Sequence, residues 1–226
     1  LSTYHQPLVS TGVKIAIVAD YPKKGTSKSI AESFHWNLKA NLKAAGIDIE
    51  TTFRCSVLDY YPGFVANGYD FDWNAPKNFM ATETMETALY DYDPDIIICM
   101  GSLALRYFKP HPDPLDKERG APFAWKKFTC IATYHPRDLF MQHQHTVLQQ
   151  ADFGKAARLA KTGWKPAQFN INYLPTFREA MTLMDKFIQA KAYLATDIET
   201  YYDKIVGTKD LTCLGFAYSK RDALVI

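Results

Sequence analysis

Two acidic residues at alternate positions of one segment are the clearest chemical signal in this chain of 226 residues. Asp197 and Glu199 lie within Ala-Thr-Asp-Ile-Glu-Thr at residues 195–200. Residues two apart on a β-strand point to the same face, so the two carboxylates would stand side by side. Carboxylate oxygens suit Mg²⁺ and Mn²⁺, and a pair of such ions can cleave a phosphodiester bond. The spacing therefore predicts a divalent-metal site; two exposed surface acids are the alternative.

Three lysines follow the first apolar segment of the chain. Lys23, Lys24 and Lys28 come after residues 13–20 and before a helix predicted over residues 29–46. Backbone N–H groups at the start of a helix bind phosphate, and lysine side chains add phosphate contacts. The cluster therefore predicts a contact with the DNA backbone, and a loop that is simply solvated is the alternative.

The apolar patterning that must position these side chains alternates between strands and helices over the first 163 residues. Predicted strands cover residues 13–20, 47–55, 95–100 and 128–132, and predicted helices cover residues 29–46, 81–92 and 144–162. This alternation is typical of an α/β sheet with helices on both faces. Residues 61–78 and 109–125 are predicted to be long loops, and His143 and His145 are predicted to be exposed.

The pattern changes near Gly163, which predicts a first domain of residues 1–163 and a second of residues 164–226. A short strand at residues 168–173 and a helix at residues 176–190 come first. Strands without intervening helices follow at residues 193–199, 211–219 and 223–226. A tight turn predicts that the last two strands form an antiparallel hairpin. The helix has an apolar face that is predicted to point inward: Phe177, Ala180, Met181, Met184, Phe187 and Ile188.

Composition and charge exclude several classes of protein. Hydrophobic residues make up 47% of the chain and aromatic residues 14%, which is enough for a packed core and unlike a disordered chain. The net charge of +2 does not favour a polyanionic partner by itself. The longest apolar run, residues 96–100, is too short to cross a membrane. The four cysteines are widely scattered along the chain: Cys55, Cys99, Cys130 and Cys213. Scattered free cysteines are typical of proteins in a reducing cytoplasm, where we expect this protein.

The segment around the two acids resembles a known family. Asp-Ile-Glu-Thr after an apolar strand, then Leu-Thr-Cys-Leu-Gly-Phe-Ala-Tyr-Ser at residues 211–219, resembles the first motif of the DEDD family of 3′–5′ exonucleases. The resemblance covers residues 190–226 and implies the start of an RNase H-like fold, with Asp197 and Glu199 as ligands of Mg²⁺ or Mn²⁺. The family has two further acidic motifs downstream, so the resemblance implies an incomplete exonuclease domain and an inactive fragment.

Motifs distributed over residues 13–140 resemble the uracil-DNA glycosylase superfamily, most closely its iron–sulfur bacterial branch. They are Val-Ala-Asp-Tyr-Pro at residues 18–22, Pro-Asp-Ile-Ile-Ile-Cys-Met-Gly-Ser-Leu-Ala at residues 94–104, Arg119-Gly120, and Thr-Tyr-His-Pro at residues 133–136. The resemblance implies a parallel-sheet α/β sandwich that binds DNA and flips a nucleotide out of the stack. His135 would donate to a base carbonyl on which negative charge develops, and Asp20 would lie near the attacking water. The resemblance also implies that Tyr134 and Arg119 contact DNA. The alternative for His135 is a structural role, as a histidine in the turn before Pro136.

The chain departs from the glycosylase pattern at two places. The loop at residues 21–28 has lysines where the family has acidic residues and a Pro-Phe stacking element. Of the four cysteines that hold the family's cluster, only Cys55 stands near a matching position, so no iron–sulfur cluster is expected. These departures favour a degenerate DNA-binding domain over an active glycosylase.

The order of the two resemblances is more informative than either alone. A glycosylase-like domain followed directly by the start of a DEDD exonuclease resembles the N-terminal part of certain phage A-family DNA polymerases. The resemblance implies a fragment of a replication polymerase that binds DNA and Mg²⁺ or Mn²⁺, with replication proteins as further candidate partners. Two alternatives remain: a free-standing glycosylase-like repair enzyme, and a non-catalytic module that docks replication proteins.

Overall fold

The computed structural model describes residues 4–8, 12–25, 35–63, 71–140, 144–191, 193–202 and 209–226. The chain divides into two units, Leu1–Trp164 and Lys165–Ile226, one residue beyond the boundary that the sequence predicts. Each unit packs helix against sheet, so the protein belongs to the α/β class.

Apolar segments of the first unit form the parallel centre of its sheet. They are β2 (Ile15–Ala19), β3 (Thr52–Ser56), β4 (Ile96–Met100) and β6 (Phe128–Thr133). Two short strands, β1 (Tyr4–His5) and β5 (Pro122–Trp125), pair antiparallel at the edges and give the order β1-β3-β2-β4-β6-β5. Every residue of β2, β3 and β4 is buried. β2 and β4 are apolar along their whole length, as is typical of strands covered on both faces, whereas β3 also buries Thr52, Arg54 and Ser56.

Helices cover both faces of this sheet. They are α1 (His35–Ala44), α2 (Pro76–Tyr92), α3 (Ser102–Phe108), α4 (Leu115–Glu118) and α5 (Gln144–Thr162), with 3₁₀ turns at Ile49–Thr51 and Asp138–Phe140. Ile17 lies in one core cluster with Leu38 of α1, and its neighbour Val18 lies in another with Leu89 of α2. Neighbouring strand residues thus bury opposite faces of the sheet. None of the helices that the structure describes is long and apolar enough to cross a lipid bilayer.

The segment between α3 and β6 differs from its prediction as a loop. Residues 109–125 contain helix α4 and strand β5. β5 pairs with β6 through a hairpin whose turn includes Lys126, with a φ of 51°. Several prolines made the segment resemble a loop, but the Phe-Ala-Trp run after Pro122 forms a ladder with its neighbour.

The loop predicted over residues 61–78 is also wrong in part. Helix α2 begins at Pro76, which suits the first turn of a helix because no N–H donor is needed there. Residues 64–70 lie outside the described part of the chain. So do residues 26–34, which include the beginning of the helix predicted over residues 29–46.

The second unit is built on a small mixed sheet. Its strands are β7 (Asn170–Tyr173), β8 (Ala195–Tyr202), β9 (Lys209–Ala217) and β10 (Asp222–Val225), in the sheet order β7-β10-β9-β8. β9 and β10 pair antiparallel, which confirms the predicted hairpin, and β8 also pairs antiparallel with β9. β7 pairs parallel with β10. Helix α6 (Phe177–Ala190) begins at a capping box formed by Thr176 and Glu179.

Helix α6 buries less of its apolar face than the sequence predicts. Ala180 is buried, and the Phe187 ring packs on a tyrosine ring of the sheet at 4.9 Å. Phe177 is 82% exposed, Met181 46% and Ile188 74%, so the prediction that these three face inward is wrong. Leu183 and Met184, like Phe187, are half-buried.

Candidate functional site

The carboxyl ends of β2, β4 and β6 bring Asp20, Gly101 and His135 to one edge of the parallel sheet. The last residues of these strands pair with one another, and the chain leaves the sheet just beyond them. The Gly101 N–H donates to the Thr133 carbonyl at 3.0 Å, which fixes the end of β4 against the end of β6. Ligand sites of open parallel sheets form at this edge, which we call the carboxyl edge.

The carboxylate of Asp20 is enclosed by protein. The residue is 1% exposed; its Oδ1 accepts a hydrogen bond from the Ala104 N–H at 2.9 Å, and its Oδ2 accepts one from Arg137 Nη2 at 2.5 Å. Burial raises the pKa of Asp20 to about 6, although the Arg137 charge and the Ala104 N–H both lower it. At neutral pH the carboxylate is therefore ionised but close to its titration range.

Gly101 leaves room for that carboxylate. Its φ of 104° is a conformation that other residues rarely adopt, and a Cβ built there would lie 2.5 Å from Asp20 Cγ. The buried carboxylate of Asp20 therefore fits only when position 101 is glycine.

His135 is buried and held as a neutral imidazole. It is 1% exposed, and its Nδ1 accepts a hydrogen bond from the backbone N–H of Arg137 at 3.1 Å. Burial, and to a smaller extent the Arg137 charge, hold the pKa of His135 well below its usual value. A neutral ring whose Nδ1 accepts a hydrogen bond carries its proton on Nε2. Nε2 is itself a buried atom.

Arg137 belongs to the site, although the sequence reasoning missed it. Its guanidinium pairs with Asp20 and lies 4.9 Å from the centre of the Tyr21 ring. The Tyr21 ring in turn meets the Tyr61 ring edge-on at 5.7 Å. The Arg137 side chain is 37% exposed, so this arginine extends the buried acid's network to the solvent. The position of Arg137 directly after Thr-Tyr-His-Pro could have indicated that it belongs to the site. Its pairing with Asp20 could not be seen in the sequence, because Asp20 lies 117 residues earlier.

Two of the three predicted phosphate-binding lysines are described. Lys23 and Lys24 are exposed, in the loop that begins with Asp20 at the end of β2. Lys28 lies outside the described residues. With Arg137 and the tyrosine rings, the two lysines give this edge both positive charge and aromatic surface. That combination is typical of single-stranded nucleic-acid binding.

Arg119, one of the predicted DNA contacts, is engaged inside the protein. Its Nη2 lies 2.5 Å from Asp152 Oδ1, and its Nε donates to Asp152 Oδ2 at 3.0 Å. Nη2 also donates to the Leu148 carbonyl at 3.0 Å. The Asp152 carboxylate accepts a further hydrogen bond from Thr133 Oγ1 at 2.7 Å. The geometry therefore gives Arg119 a structural contact that joins the end of α4 to α5.

Tyr134, the other predicted DNA contact, is 5% exposed. Its hydroxyl donates to Asp116 Oδ1 at 2.9 Å, and its ring stacks on His145 with the ring centres 3.8 Å apart. His145 is half-buried in this stack, so the prediction that it is exposed is wrong. His143 lies outside the described residues.

Asp197 and Glu199 occupy alternate positions of strand β8, and both are exposed. The residues opposite them on β9 are Gly215 and Cys213. Because Gly215 has no side chain, the space beside the Asp197 carboxylate is open. The pair fits two of the oxygen ligands that Mg²⁺ or Mn²⁺ needs. In the part of the chain that the structure describes, no group of three or more His, Cys, Asp or Glu residues could hold a metal ion.

Three cysteines lie together in one core cluster of the first unit: Cys55, Cys99 and Cys130. All three are buried free thiols, as the sequence predicts for Cys99 and Cys130. Burial raises the pKa of the Cys55 and Cys99 thiols, which keeps the sulfur protonated.

Comparison with known proteins assigns no family to the chain. No protein-family model matches it, and no curated protein is significantly similar to it. Its function therefore has to be inferred from the carboxyl edge and from the two acids of β8.

Proposed function

We propose that this chain is part of a DNA-replication polymerase of the phage A-family type. In this proposal, a glycosylase-like DNA-binding domain precedes the start of a proofreading 3′–5′ exonuclease. The observation that carries it is the meeting of Asp20, His135 and Arg137 at the carboxyl edge. The motifs that contain Asp20 and His135 are the ones that resemble uracil-DNA glycosylases, and they lie far apart in the sequence.

The carboxyl edge has the chemistry to hold a nucleotide. The Arg137 side chain, paired with Asp20, is partly exposed at the solvent side of the site, with His135 buried behind it. Lys23 and Lys24 add phosphate contacts along the same edge, and the Tyr21 ring offers a surface on which a base can stack.

The position of Asp20 favours binding over removal of the base. A carboxylate that activates water needs an oxygen directed at that water, whereas Oδ1 is held by the Ala104 N–H and Oδ2 by Arg137. The Arg137 charge also offsets the negative charge that would polarise the water. The lysines in the loop at residues 21–28, where the family has acids, favour the same conclusion.

Asp197 and Glu199 support the exonuclease half of the proposal. Their carboxylates, at alternate positions of an exposed strand, would hold Mg²⁺ or Mn²⁺ through oxygen ligands. Ions bound at such a site activate water and stabilise the leaving 3′ oxygen in phosphodiester cleavage.

DNA binding and base removal can be measured on the same full chain. The anisotropy of a labelled single-stranded oligonucleotide that contains one deoxyuridine reports binding, and cleavage by alkali reports an abasic site. We expect binding that Arg137→Gln weakens about tenfold, and no cleavage. Arg158→Gln is the matched control, because Arg158 is an exposed arginine on α5, and it is expected to bind like the unmodified chain.

Absence of binding, or equal weakening by the two arginine variants, contradicts the proposal. Alkali-labile cleavage that disappears in His135→Ala would instead support a second candidate, a glycosylase-like repair enzyme. The position of His135 at the carboxyl edge, where its Nδ1 accepts a hydrogen bond from the Arg137 N–H, is the observation that favours that candidate.

A further inference from the structure

A cavity of about 530 Å³ lies beside α3 in the first unit, lined by residues other than those of the carboxyl edge. Its walls combine aromatic rings with basic side chains, chiefly Phe71, Trp73, Tyr107, Arg106 and His111. Small-ligand sites commonly have volumes of roughly 300–1,000 Å³ and join apolar walls to a few polar groups. The size and the lining fit a small molecule that has a flat ring and an anionic group.

The aromatic wall of this cavity is preformed. Trp73 lies edge-on between Phe71, at 4.7 Å between ring centres, and Tyr107, at 5.1 Å. Tyr107 is fixed by its hydroxyl, which donates to Glu86, and by packing against Phe108. Rings that are already ordered can bind a planar partner without a further loss of side-chain entropy. Nucleobases of any identity stack on such rings.

The polar side of the cavity includes the guanidinium of Arg106. Arg106 is half-buried in the last turn of α3, and His111 lies on the loop beyond it with a φ of 50°. A guanidinium is planar and always charged, so it can bind two phosphate oxygens at once.

A buried apolar cluster underlies both this cavity and the carboxyl edge. Phe71 and Trp73 of the cavity wall pack on the same buried cluster as Tyr21 of the carboxyl edge; its members are Leu58, Ala81 and Leu103. Helix α3, which begins at that edge, is about 10 Å long at 1.5 Å per residue. The carboxyl edge and the cavity therefore lie at opposite ends of this short helix, within the reach of one DNA strand.

We propose that the cavity binds a nucleotide, with the base against Trp73 and Tyr107 and the phosphate at Arg106. The nucleotide comes either from solution or from single-stranded DNA. The short helix that separates the cavity from the carboxyl edge favours the strand. Only that source rests on the proposed function; binding of a free nucleotide does not.

The test uses the full chain with dAMP, deoxyadenosine and a short oligo(dA), each followed by tryptophan fluorescence. Stacking on Trp73 is expected to quench the emission, and Trp73→Phe should remove the quenching. Arg106→Gln should weaken dAMP about tenfold and leave deoxyadenosine unchanged, because the nucleoside has no phosphate. Arg158→Gln, the exposed arginine on α5, is the matched control and should change neither affinity.

The outcomes separate the two sources of nucleotide from each other. If Arg106→Gln lowers the affinity for oligo(dA) as much as the affinity for dAMP, the site belongs to a DNA strand. If it lowers the affinity for dAMP alone, the site belongs to a free nucleotide. Equal dAMP affinities of the two arginine variants, or no quenching by dAMP and oligo(dA), overturn the proposal. Oligo(dA) binding that needs Arg106 but not Arg137 would retain this site and contradict the proposed function of the carboxyl edge.

Thermal unfolding checks that each variant folds. Should Arg106→Gln not fold, His111→Asn takes its place, because asparagine tolerates the φ of 50° at that position. The same selective loss of dAMP affinity is then expected, and an unchanged dAMP affinity overturns the proposal.

Discussion

Gly101 and Asp20 approach each other so closely that position 101 cannot carry a side chain. A Cβ on Gly101 would lie 2.5 Å from Asp20 Cγ, and the φ of Gly101 is 104°. This approach lets the carboxylate accept hydrogen bonds from the Ala104 N–H and the Arg137 guanidinium. Burying a carboxylate costs stability that its partners only partly restore, so we infer that the arrangement serves a chemical role more than a structural one.

The Gly101→Ala variant is expected to lose about 3 kcal/mol or more of unfolding free energy. The added methyl group must displace the Asp20 carboxylate, and alanine is strained at this φ. Gly46→Ala is the matched control, because Gly46 has a φ of 76° with no atom within 4 Å of an added Cβ. Its expected cost is about 1 kcal/mol, from backbone strain alone. Urea unfolding measures both variants, and equal losses would contradict the steric argument.

The pKa of Asp20 is 3.8 as an ordinary value and about 6 in the folded protein. We therefore expect the free energy of unfolding to depend on pH between these two values. Because folding raises the pKa of this acid, its contribution to stability is fully present below the lower value and is lost as the pH rises through the higher one. A shift of this size corresponds to at most about 3 kcal/mol. Relative to Asp20→Asn, which does not titrate, the unmodified chain should gain stability as the pH is lowered through this window.

His135 titrates with the opposite sign and provides the control for that experiment. Burial lowers its pKa, so the stability that the neutral ring contributes is present above the usual histidine value and is lost as the pH falls. The difference between the unmodified chain and His135→Gln should therefore shrink in acid. Urea unfolding of the three proteins over a pH series measures both effects. Parallel curves for the unmodified chain and Asp20→Asn would show that Asp20 does not titrate as argued.

The central strands and part of the carboxyl edge could be predicted from the sequence. Residues 95–100 form an apolar run bounded by Pro94 and Gly101, which favours a buried strand, and β4 lies there. Asp20 stands directly at the end of such a run and is therefore visible as a candidate. Its partner Arg137 is not visible in this way, because only the pairing of β2 with β4 and of β4 with β6 brings the two residues together.

Short elements and degrees of burial could not be predicted. Strand β5 has only four residues and begins with Pro122, so its ladder depends on the neighbouring β6 more than on local propensity. The apolar period of α6 correctly predicts a helix. It does not say how much of that face is covered, because the exposure of Phe177 and Ile188 depends on what packs against them.

Asp197 and Glu199 are expected to bind Mn²⁺ weakly and to give this chain no exonuclease activity. The residues described here contain no third ligand grouped with them, and two-metal phosphodiester cleavage needs ligands for two ions. Electron paramagnetic resonance of Mn²⁺ measures the binding, which Asp197→Ala should remove. Asp185→Ala, at an exposed acid on α6, should leave it unchanged. Metal-dependent shortening of labelled single-stranded DNA that Asp197→Ala abolishes would show that the site is complete.

The three lysines after β2 are expected to set the salt dependence of DNA binding. Each phosphate contact releases counterions, and contributes roughly 0.7–0.9 to the slope of log affinity against log salt concentration. Replacing Lys23, Lys24 and Lys28 by alanine should therefore flatten that slope by about two units. Anisotropy titrations of a labelled oligonucleotide at several salt concentrations measure the slope.

The matched control removes the same charge from another surface. Lys39 and Lys43 on α1 and Lys161 on α5 are exposed, and their combined replacement by alanine should leave the slope nearly unchanged. His135→Ala should also leave it unchanged, because a buried neutral ring neutralises no phosphate. Equal slopes for the two triple-lysine variants would mean that the affinity depends on overall charge. The loop after β2 would then have no specific part in positioning the DNA backbone.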